Sequence, residues 1–143
     1  MTQDPDGFTF SVSVRMADVD AAGVVFNAHY LGWCDDARFA FLAAIGQPFV
    51  PGRSTSLAMV RHAELDWLVP LHLFDNAEIS VLVDRVGGTS YTLRYDICRA
   101  GESEPVRASA RVTYVEVDLG TGRPAPLPEE LRSALLTAAA RCA

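Results

Sequence analysis

The sequence predicts an α+β domain in which one antiparallel sheet wraps around a single long helix. Several segments alternate apolar and polar residues with the period of a strand, and one early segment is almost uniformly apolar and free of proline. The length of 143 residues suits one domain. The sheet and the helix each have an apolar face, and packing the helix into the curl of the sheet covers both. We therefore expect a single domain over residues 1–143.

The first strand and the long helix are the clearest elements. Apolar and polar residues alternate through 8–14, which predicts a strand with one buried face. Residues 28–45 are rich in Ala, Leu and Phe, and they predict a helix that the rest of the fold must enclose. Asn27 is the expected N-cap, and Gly46 followed by Pro48 predicts the end of the helix.

Four more strands are predicted after the helix. The same alternation marks four segments: 57–67, 77–84, 90–98 and 106–114. Gly87-Gly88 predicts a hairpin between the second and third of them. Each strand has one apolar and one mixed face, which is typical of an antiparallel meander. In the first segment, the residues expected to share the apolar face are Leu57, Met59, Ala63, Leu65 and Trp67.

A second helix is predicted near the end of the chain. Pro128 stands in its first turn, and acidic residues follow at the end where the helix dipole favours them. Leu131, Leu135 and Ala138 form a single apolar stripe. We expect this helix to pack on the outside of the domain.

Composition and charge exclude several classes of protein. The net charge of −6 argues against non-specific nucleic-acid binding, and all 12 basic residues are Arg, which excludes a Schiff-base or P-loop lysine. Cys34, Cys98 and Cys142 are odd in number and widely spaced, which argues against a disulfide framework or a zinc site. The polar N-terminal residues lack the pattern of a signal peptide, and no apolar run approaches the roughly 18 residues of a membrane helix. We expect a soluble, cytoplasmic protein.

The stretch 15–41 carries the most specific pattern in the chain. It contains two acids, a turn glycine and an aromatic entry into the helix, in the order Asp18, Asp20, Gly23, Val25, Tyr30 and the Ala37-Arg38 pair. This pattern resembles the 4-hydroxybenzoyl-CoA thioesterase family of the hotdog fold. The segments 66–70 and 85–90 resemble the later strands and hairpin of that family. The resemblance spans about Phe8 to Tyr114.

The resemblance implies a thioesterase site with Asp20 as base or nucleophile and the backbone N–H of Asn27 as the donor to the thioester carbonyl. General chemistry agrees, because a helix N-terminus presents unpaired N–H groups and partial positive charge. Such donors stabilise the oxyanion that forms during attack on a carbonyl. A carboxylate can activate water or attack the carbonyl itself.

The expected substrate is an acyl-CoA or acyl-pantetheine, with CoA as part of the substrate and no further cofactor or metal. We expect the site to be lined by Gly23, Val25, His29 and Tyr30, and we expect the nucleotide end of CoA to contact Arg85, Thr89 and Ser90. The resemblance also implies a homodimer or homotetramer with active sites at the subunit boundary. No nucleic-acid or membrane partner is expected.

Alternative interpretations remain open from the residues alone. Asp20 also fits a turn residue whose side chain accepts a local backbone N–H, and Asp18 fits a structural partner of Arg15. Tyr30 fits the helix core, and the 85–90 hairpin fits a solvated turn. At the level of function, the alternative is a hotdog module that binds an acyl or aromatic ligand without hydrolysing it. A hydratase on the same fold is less favoured, because no His stands a few residues after Asp20.

Overall fold

A five-stranded antiparallel sheet and two helices make up the protein over residues 7–141, the part of the chain that the computed structural model describes. The strands are β1 (Phe8–Ser13), β2 (Ser56–Trp67), β3 (Asn76–Val86), β4 (Ser90–Arg99) and β5 (Ala108–Asp118). The helices are α1 (His29–Ala44) and α2 (Glu129–Arg141). The predicted order of one strand, a long helix, four strands and a last helix is confirmed. Cys142 and the predictions made for residues 1–6 lie outside the described residues.

The order of strands in the sheet is β1-β3-β4-β5-β2, and every neighbouring pair is antiparallel. The long α1 connection therefore carries the chain from one edge of the sheet to the other. The predicted hairpin joins β3 to β4 at Gly87-Gly88, where the Gly87 N–H donates to the Ser90 carbonyl at 2.7 Å. β1 lies beside β3 on one side of this hairpin, and β5 followed by β2 lies beside β4 on the other.

The core lies between α1 and the concave face of the sheet. Helix α1 packs against β1, β3 and β5. Its buried side chains meet a layer of fully buried strand residues that includes Ile79, Val81, Leu93, Tyr95 and Ile97. The buried residues of α1 are Tyr30, Trp33, Cys34, Ala37, Arg38, Phe41 and Leu42. They occupy about half of the helix circumference, and the other half, which includes the exposed Leu31 and Phe39, is not covered within one chain.

The C-terminal end of α1 follows the prediction, and the N-terminal end does not. Gly46 has φ +82°, and the bonds from Gly46 N–H to Ala43 and from Gln47 N–H to Leu42 close the helix in a Schellman motif. At the other end the N-cap position is Ala28, and no side chain caps the helix. The prediction of an Asn27 cap is wrong, because Ala28 is already helical and Asn27 lies in the preceding turn.

Strand β2 departs from its predicted alternation at a β-bulge. The register shifts between Val60 and His62, so that Arg61 is the extra residue. Directly opposed residues share a face of the sheet. The opposed pairs are Met59–Val115, Val60–Tyr114 and Ala63–Val112. Ala63, Leu65 and Trp67 therefore share the concave face with Val60, whereas Met59 and Leu57 lie on the convex face.

Helix α2 packs against β3 and borders a groove together with the C-terminal end of α1. Its apolar stripe is anchored by Leu135, which is fully buried, with Leu131 and Ala138 half-buried beside it. The Arg132 Nε donates to the Gly87 carbonyl at 3.2 Å. This bond ties the helix to the β3–β4 hairpin.

Candidate active site

Asp18 is the buried anchor of the chain segment that enters α1. It is 3% exposed, and its Oδ2 accepts the Arg15 backbone N–H at 2.8 Å and the Arg15 Nε at 3.4 Å. Burial alone would raise the pKa of the Asp18 carboxyl, but the two hydrogen bonds and the charge of Arg15 lower it below the usual value. The Asp18 carbonyl also accepts the Phe26 N–H. These contacts agree with the structural role predicted for Asp18.

Asp20 forms a tight turn and keeps one carboxylate oxygen free. Its Oδ1 accepts the backbone N–H groups of Ala22 at 2.8 Å and Val24 at 3.4 Å, which is the local turn contact that the sequence allows. Gly23 takes φ +76° and donates its N–H to the Asp20 carbonyl. Among residues 7–141, no group donates to Oδ2. The turn therefore fixes the direction of an exposed, partly unpaired carboxylate.

The segment after β2 holds this turn against the sheet. Val25 N–H donates to the Leu71 carbonyl at 2.9 Å, and Leu73 N–H donates to the Gly23 carbonyl at 3.1 Å. Val25 and Leu71 are both buried. Gly23 and Val25 thus act through their backbone, since they hold Asp20 at a fixed distance from the start of α1.

Asn27 lies in the turn that leads into α1. Its carbonyl accepts the Trp67 Nε1–H at 3.2 Å, and no acceptor within residues 7–141 pairs with its own N–H. The next turn closes when His29 N–H donates to the Phe26 carbonyl. The Asn27 N–H is thus an unpaired donor beside the positive end of the helix dipole, although the Asn27 side chain does not cap the helix.

His29 and Tyr30 follow in the first turn of α1. His29 is half-buried, and its ring meets Phe26 edge-on at 5.9 Å between centroids. Tyr30 is 3% exposed and packs against Trp33, and burial raises the pKa of its phenol. Tyr30 therefore belongs to the helix core in one protomer, whereas His29 stands at the rim of the turn.

The β3–β4 hairpin is far from this turn within one protomer. Asp20 and Asn27 lie beside the segment that enters β3 at Asn76, whereas Arg85 and Thr89 lie where β3 ends and β4 begins. A strand of eleven residues spans roughly 30 Å. Ser90 is at the same far end. The structure brings together Asp20, Gly23, Val25, Asn27, His29 and Tyr30, and it separates them from the three hairpin residues.

The sequence analysis assigned no functional role to Trp67 beside this turn or to a pair of buried charged residues away from it. Trp67 was expected only as a strand residue, yet it donates to the Asn27 carbonyl from a side chain that is 57% exposed. Arg38 and Glu116 are buried charged residues near the other end of α1. An Arg on an apolar helix face and a Glu inside a strand pattern were the available signals for that pair. No feature of the sequence indicated that the Trp67 side chain would donate a hydrogen bond to the Asn27 carbonyl.

The remaining candidate ligands do not form a metal centre. Among residues 7–141, no group of three His, Cys, Asp or Glu side chains is placed to hold a metal ion. His62 pairs with Glu64 at 3.1 Å on the surface of β2. Burial raises the pKa of the Cys34 thiol to about 12, which keeps it protonated and unreactive in the core. Neither helix of the described chain is long and apolar enough to cross a membrane.

Comparison with known proteins adds independent evidence. The family model described as the thioesterase-like superfamily matches residues 14–135. The 1,4-dihydroxy-2-naphthoyl-CoA hydrolase of Synechococcus elongatus is 30% identical over 128 residues, covering 87% of this chain and 92% of the relative. That of Nostoc punctiforme is 32% identical, covering 87% and 83%. The acyl-CoA thioesterase YbgC of Haemophilus influenzae is 28% identical, covering 90% and 94%.

Solved structures give the same result. A 1,4-dihydroxy-2-naphthoyl-CoA thioesterase from Synechocystis, Slr0204, superposes with a TM-score of 0.83 at 26% identity, covering 90% of this chain and 95% of that one. The gentisyl-coenzyme A thioesterase BH1999 superposes with a TM-score of 0.80 at 25% identity, covering 90% and 99%. The chain therefore belongs to the thioesterase-like superfamily: it has the hotdog fold of the 4-hydroxybenzoyl-CoA thioesterase family and is a thioester hydrolase.

Proposed function

We propose that this protein hydrolyses an aromatic acyl-CoA, with Asp20 as the catalytic carboxylate and the Asn27 N–H as the oxyanion donor. The observation that carries the proposal is that the segment leading into α1 presents an Asp20 oxygen and an Asn27 N–H that have no partner within the described chain, each fixed by its own turn. Aromatic acyl groups are favoured because similar proteins are named as naphthoyl-CoA and gentisyl-CoA hydrolases. CoA enters as part of the substrate, and the reaction needs no other cofactor.

Hydrolysis follows from these two groups with balanced chemistry. In the base route, Asp20 removes a proton from water while the oxygen attacks the thioester carbon. The Asn27 N–H and the helix dipole stabilise the resulting oxyanion, and one such donor is worth about 3 kcal/mol in the transition state. Collapse breaks the C–S bond, and the proton held by Asp20 returns to the departing thiolate. The products are a carboxylic acid and free CoA.

In the nucleophile route, Asp20 itself attacks the thioester carbon and expels the thiolate. A mixed anhydride forms on Asp20, and water then hydrolyses it. A single turnover in ¹⁸O-labelled water tests the nucleophile route, because attack of water at the Asp20 carbonyl of the anhydride leaves label in the protein. Label in Asp20 after one turnover would contradict the base route, in which no oxygen of Asp20 is exchanged.

We also propose that a second copy of the chain completes the site. Strand β2 is a long, open edge of the sheet, and its concave-face residues Val60 and Trp67 are each 57% exposed. Leu31 and Phe39 on α1 are exposed on the same side of the sheet. Pairing two β2 edges covers this apolar surface, and in one protomer the Asp20 side chain faces open solvent. A tetramer of such dimers is compatible with the same contact.

Thiol release from a panel of acyl-CoAs tests the proposed chemistry. Asp20→Asn keeps the size of the side chain and its turn acceptor but removes the base, so we expect kcat to fall about 10²–10⁴-fold. Asp36→Asn, at an exposed position of α1 without a hydrogen bond in the described structure, is the matched control. Retained turnover in the Asp20 variant, with the fold intact by circular dichroism, would remove Asp20 from the mechanism.

A further inference from the structure

A second polar cluster lies beside a cavity at the far end of α1 from Asp20. This open cavity of about 470 Å³ is lined by the second half of α1, the segment 46–58, the end of β5 and the start of α2. Its walls include the rings of Phe39 and Phe49, whose centroids are 5.5 Å apart. Buried charged residues in a cavity of this kind need a reason, because an isolated charge is costly to remove from water.

Arg38 is the positive member of this cluster. It is 6% exposed, and its guanidinium lies between two rings, 4.6 Å from the Phe39 centroid and 4.3 Å from the Tyr114 centroid. Its Nη1 donates to the Tyr91 hydroxyl at 3.3 Å. Its buried Nε lies 3.2 Å from Asp35 but makes no hydrogen bond within the described residues. Both rings are within cation–π distance of the guanidinium, and its N–H groups are the atoms that can donate to a ligand.

Glu116 is the negative member. It is 3% exposed, lines the same cavity and accepts a hydrogen bond from the Ser56 hydroxyl on Oε1. Among residues 7–141, neither Glu116 Oε2 nor Arg38 Nη2 has a hydrogen-bond partner, and neither atom is completely buried. Arg53 and Glu130, both exposed, also line the cavity, whereas Arg38 Nη2 and Glu116 Oε2 are the donor and the acceptor that its buried charged residues offer beside the aromatic walls. A flat ring that carries hydroxyl groups satisfies all of these features at once.

We propose that this cavity binds the hydroxylated aromatic ring of the acyl group, with Glu116 accepting from a ring hydroxyl and Arg38 donating to a ring oxygen. The inference rests on the proposed thioester hydrolysis and names the part of the substrate that the protein selects. It assigns Arg38 and Glu116 as specificity-determining residues. Asp20 and Asn27 act only on the thioester carbon.

The cavity serves the catalytic turn of the partner subunit and not that of its own chain. Arg38 follows Asn27 by eleven residues, which is about 16 Å along the helix axis and exceeds the length of a two-ring acyl group. A two-fold axis at the β2 edge pairs the two β2 strands antiparallel. That pairing places the Ser56 end of one strand, next to the cavity, beside the Trp67 end of the other, next to Asn27.

The selectivity test compares 4-hydroxybenzoyl-CoA with benzoyl-CoA. We expect the wild type to prefer the hydroxylated substrate, because buried polar groups left without partners penalise the analogue that lacks the hydroxyl. Glu116→Gln should reduce kcat/KM for 4-hydroxybenzoyl-CoA about 10-fold or more and change that for benzoyl-CoA much less. Glu129→Gln, an exposed acid outside the cavity, is the matched control. Ser56→Ala provides a second test if Glu116→Gln folds poorly. It removes the hydroxyl that donates to Glu116, and it should also reduce the preference for 4-hydroxybenzoyl-CoA over benzoyl-CoA.

A mixed-chain experiment tests the shared site. Asp20→Asn and Glu116→Gln chains are unfolded together and refolded as mixed dimers. If the two residues act across the interface, one site of each mixed dimer has both native residues, and the preference for the hydroxylated substrate returns. If they act within one chain, the mixed dimers show the substrate preference of the Glu116→Gln variant, and this result would contradict a site shared between subunits.

The outcomes separate this inference from the proposed function. A wild type that hydrolyses no aromatic acyl-CoA contradicts the function itself. A wild type that hydrolyses both substrates equally well, or a Glu116→Gln variant that keeps the wild-type ratio, overturns the role of the cavity and leaves the function in place.

Discussion

Asp18 and Asp20 are two residues apart and have opposite surroundings. Asp18 is buried and held by Arg15, whereas Asp20 is exposed and keeps one oxygen without a partner within the described chain. A carboxylate whose acceptors are all engaged stabilises the fold, and a carboxylate with a free oxygen is available for chemistry. Asp18 therefore stabilises this segment, and the chemical role is the one that we propose for Asp20, two residues further along the chain.

Replacing Asp18 should cost stability in a pH-dependent way. The pKa of Asp18 is lowered in the folded protein, so its stabilisation is fully present above the pKa of an unfolded Asp, near about 4, and is lost as the pH falls through the lower folded value. We expect Asp18→Asn to lower the free energy of unfolding by about 1–2 kcal/mol at pH 7. Urea denaturation at pH 7 and pH 3 measures this difference, which should shrink at pH 3.

The control for that prediction is Arg15→Ala. It removes the side-chain bonds to Asp18 but keeps the bond from the Arg15 backbone N–H, so its effect at pH 7 should be smaller. An Asp18→Asn difference that stays constant between pH 7 and pH 3 would show that ionised Asp18 does not stabilise the fold.

At the scale of elements, the C-terminal end of α1, the β3–β4 hairpin and the approximate positions of the strands were predictable because local chemistry decides them. Gly46 ends α1 since it adopts the left-handed conformation of a Schellman motif, and Gly87-Gly88 turns the β3–β4 hairpin. The bulge at Arg61 was not predictable, because the register of β2 depends on the partner strand β5. The N-terminal end of α1 was not predictable either, because Ala28 adopts a helical backbone conformation and takes the N-cap position expected for Asn27.

Leu135 is the most deeply buried side chain of helix α2. Leu135 is fully buried, whereas the adjacent Leu136 is 43% exposed. Leu135→Ala leaves a cavity under the helix and should lower the free energy of unfolding by about 2–5 kcal/mol. Leu136→Ala is the matched control and should change it by less than about 1 kcal/mol. Equal effects of the two substitutions in thermal denaturation would contradict the packing of α2.

At the scale of the whole molecule, the sequence predicted a sheet wrapped around a helix because the apolar faces of the strands and of the helix had to be buried against each other. It also predicted that the acids, the turn glycine and the helix start meet at one place, since they are close along the chain. The separation of Arg85, Thr89 and Ser90 from Asp20 was not predictable, because the distance between them depends on strand direction and order. In the proposed dimer, the hairpin residues approach a site only across the subunit boundary.

The exposed concave side of β2 should hold the proposed dimer together. Val60→Glu places a charge on this surface, and we expect it to give a monomer by light scattering and to abolish thioesterase activity. Leu136→Glu, a similar change on α2, should leave the β2 contact intact. A wild type that is monomeric at assay concentration, or a fully active Val60→Glu monomer, would contradict a site shared between subunits.

The central claim is that Asp20 and the Asn27 N–H act on the same thioester carbonyl. A crystal structure of the slow Asp20→Asn variant with a bound aromatic acyl-CoA tests it most directly. We expect the carbonyl oxygen to accept a hydrogen bond from the Asn27 N–H, with the side chain at position 20 on the opposite side of the carbonyl carbon. A bound acyl-CoA whose carbonyl lies away from this turn would contradict the account.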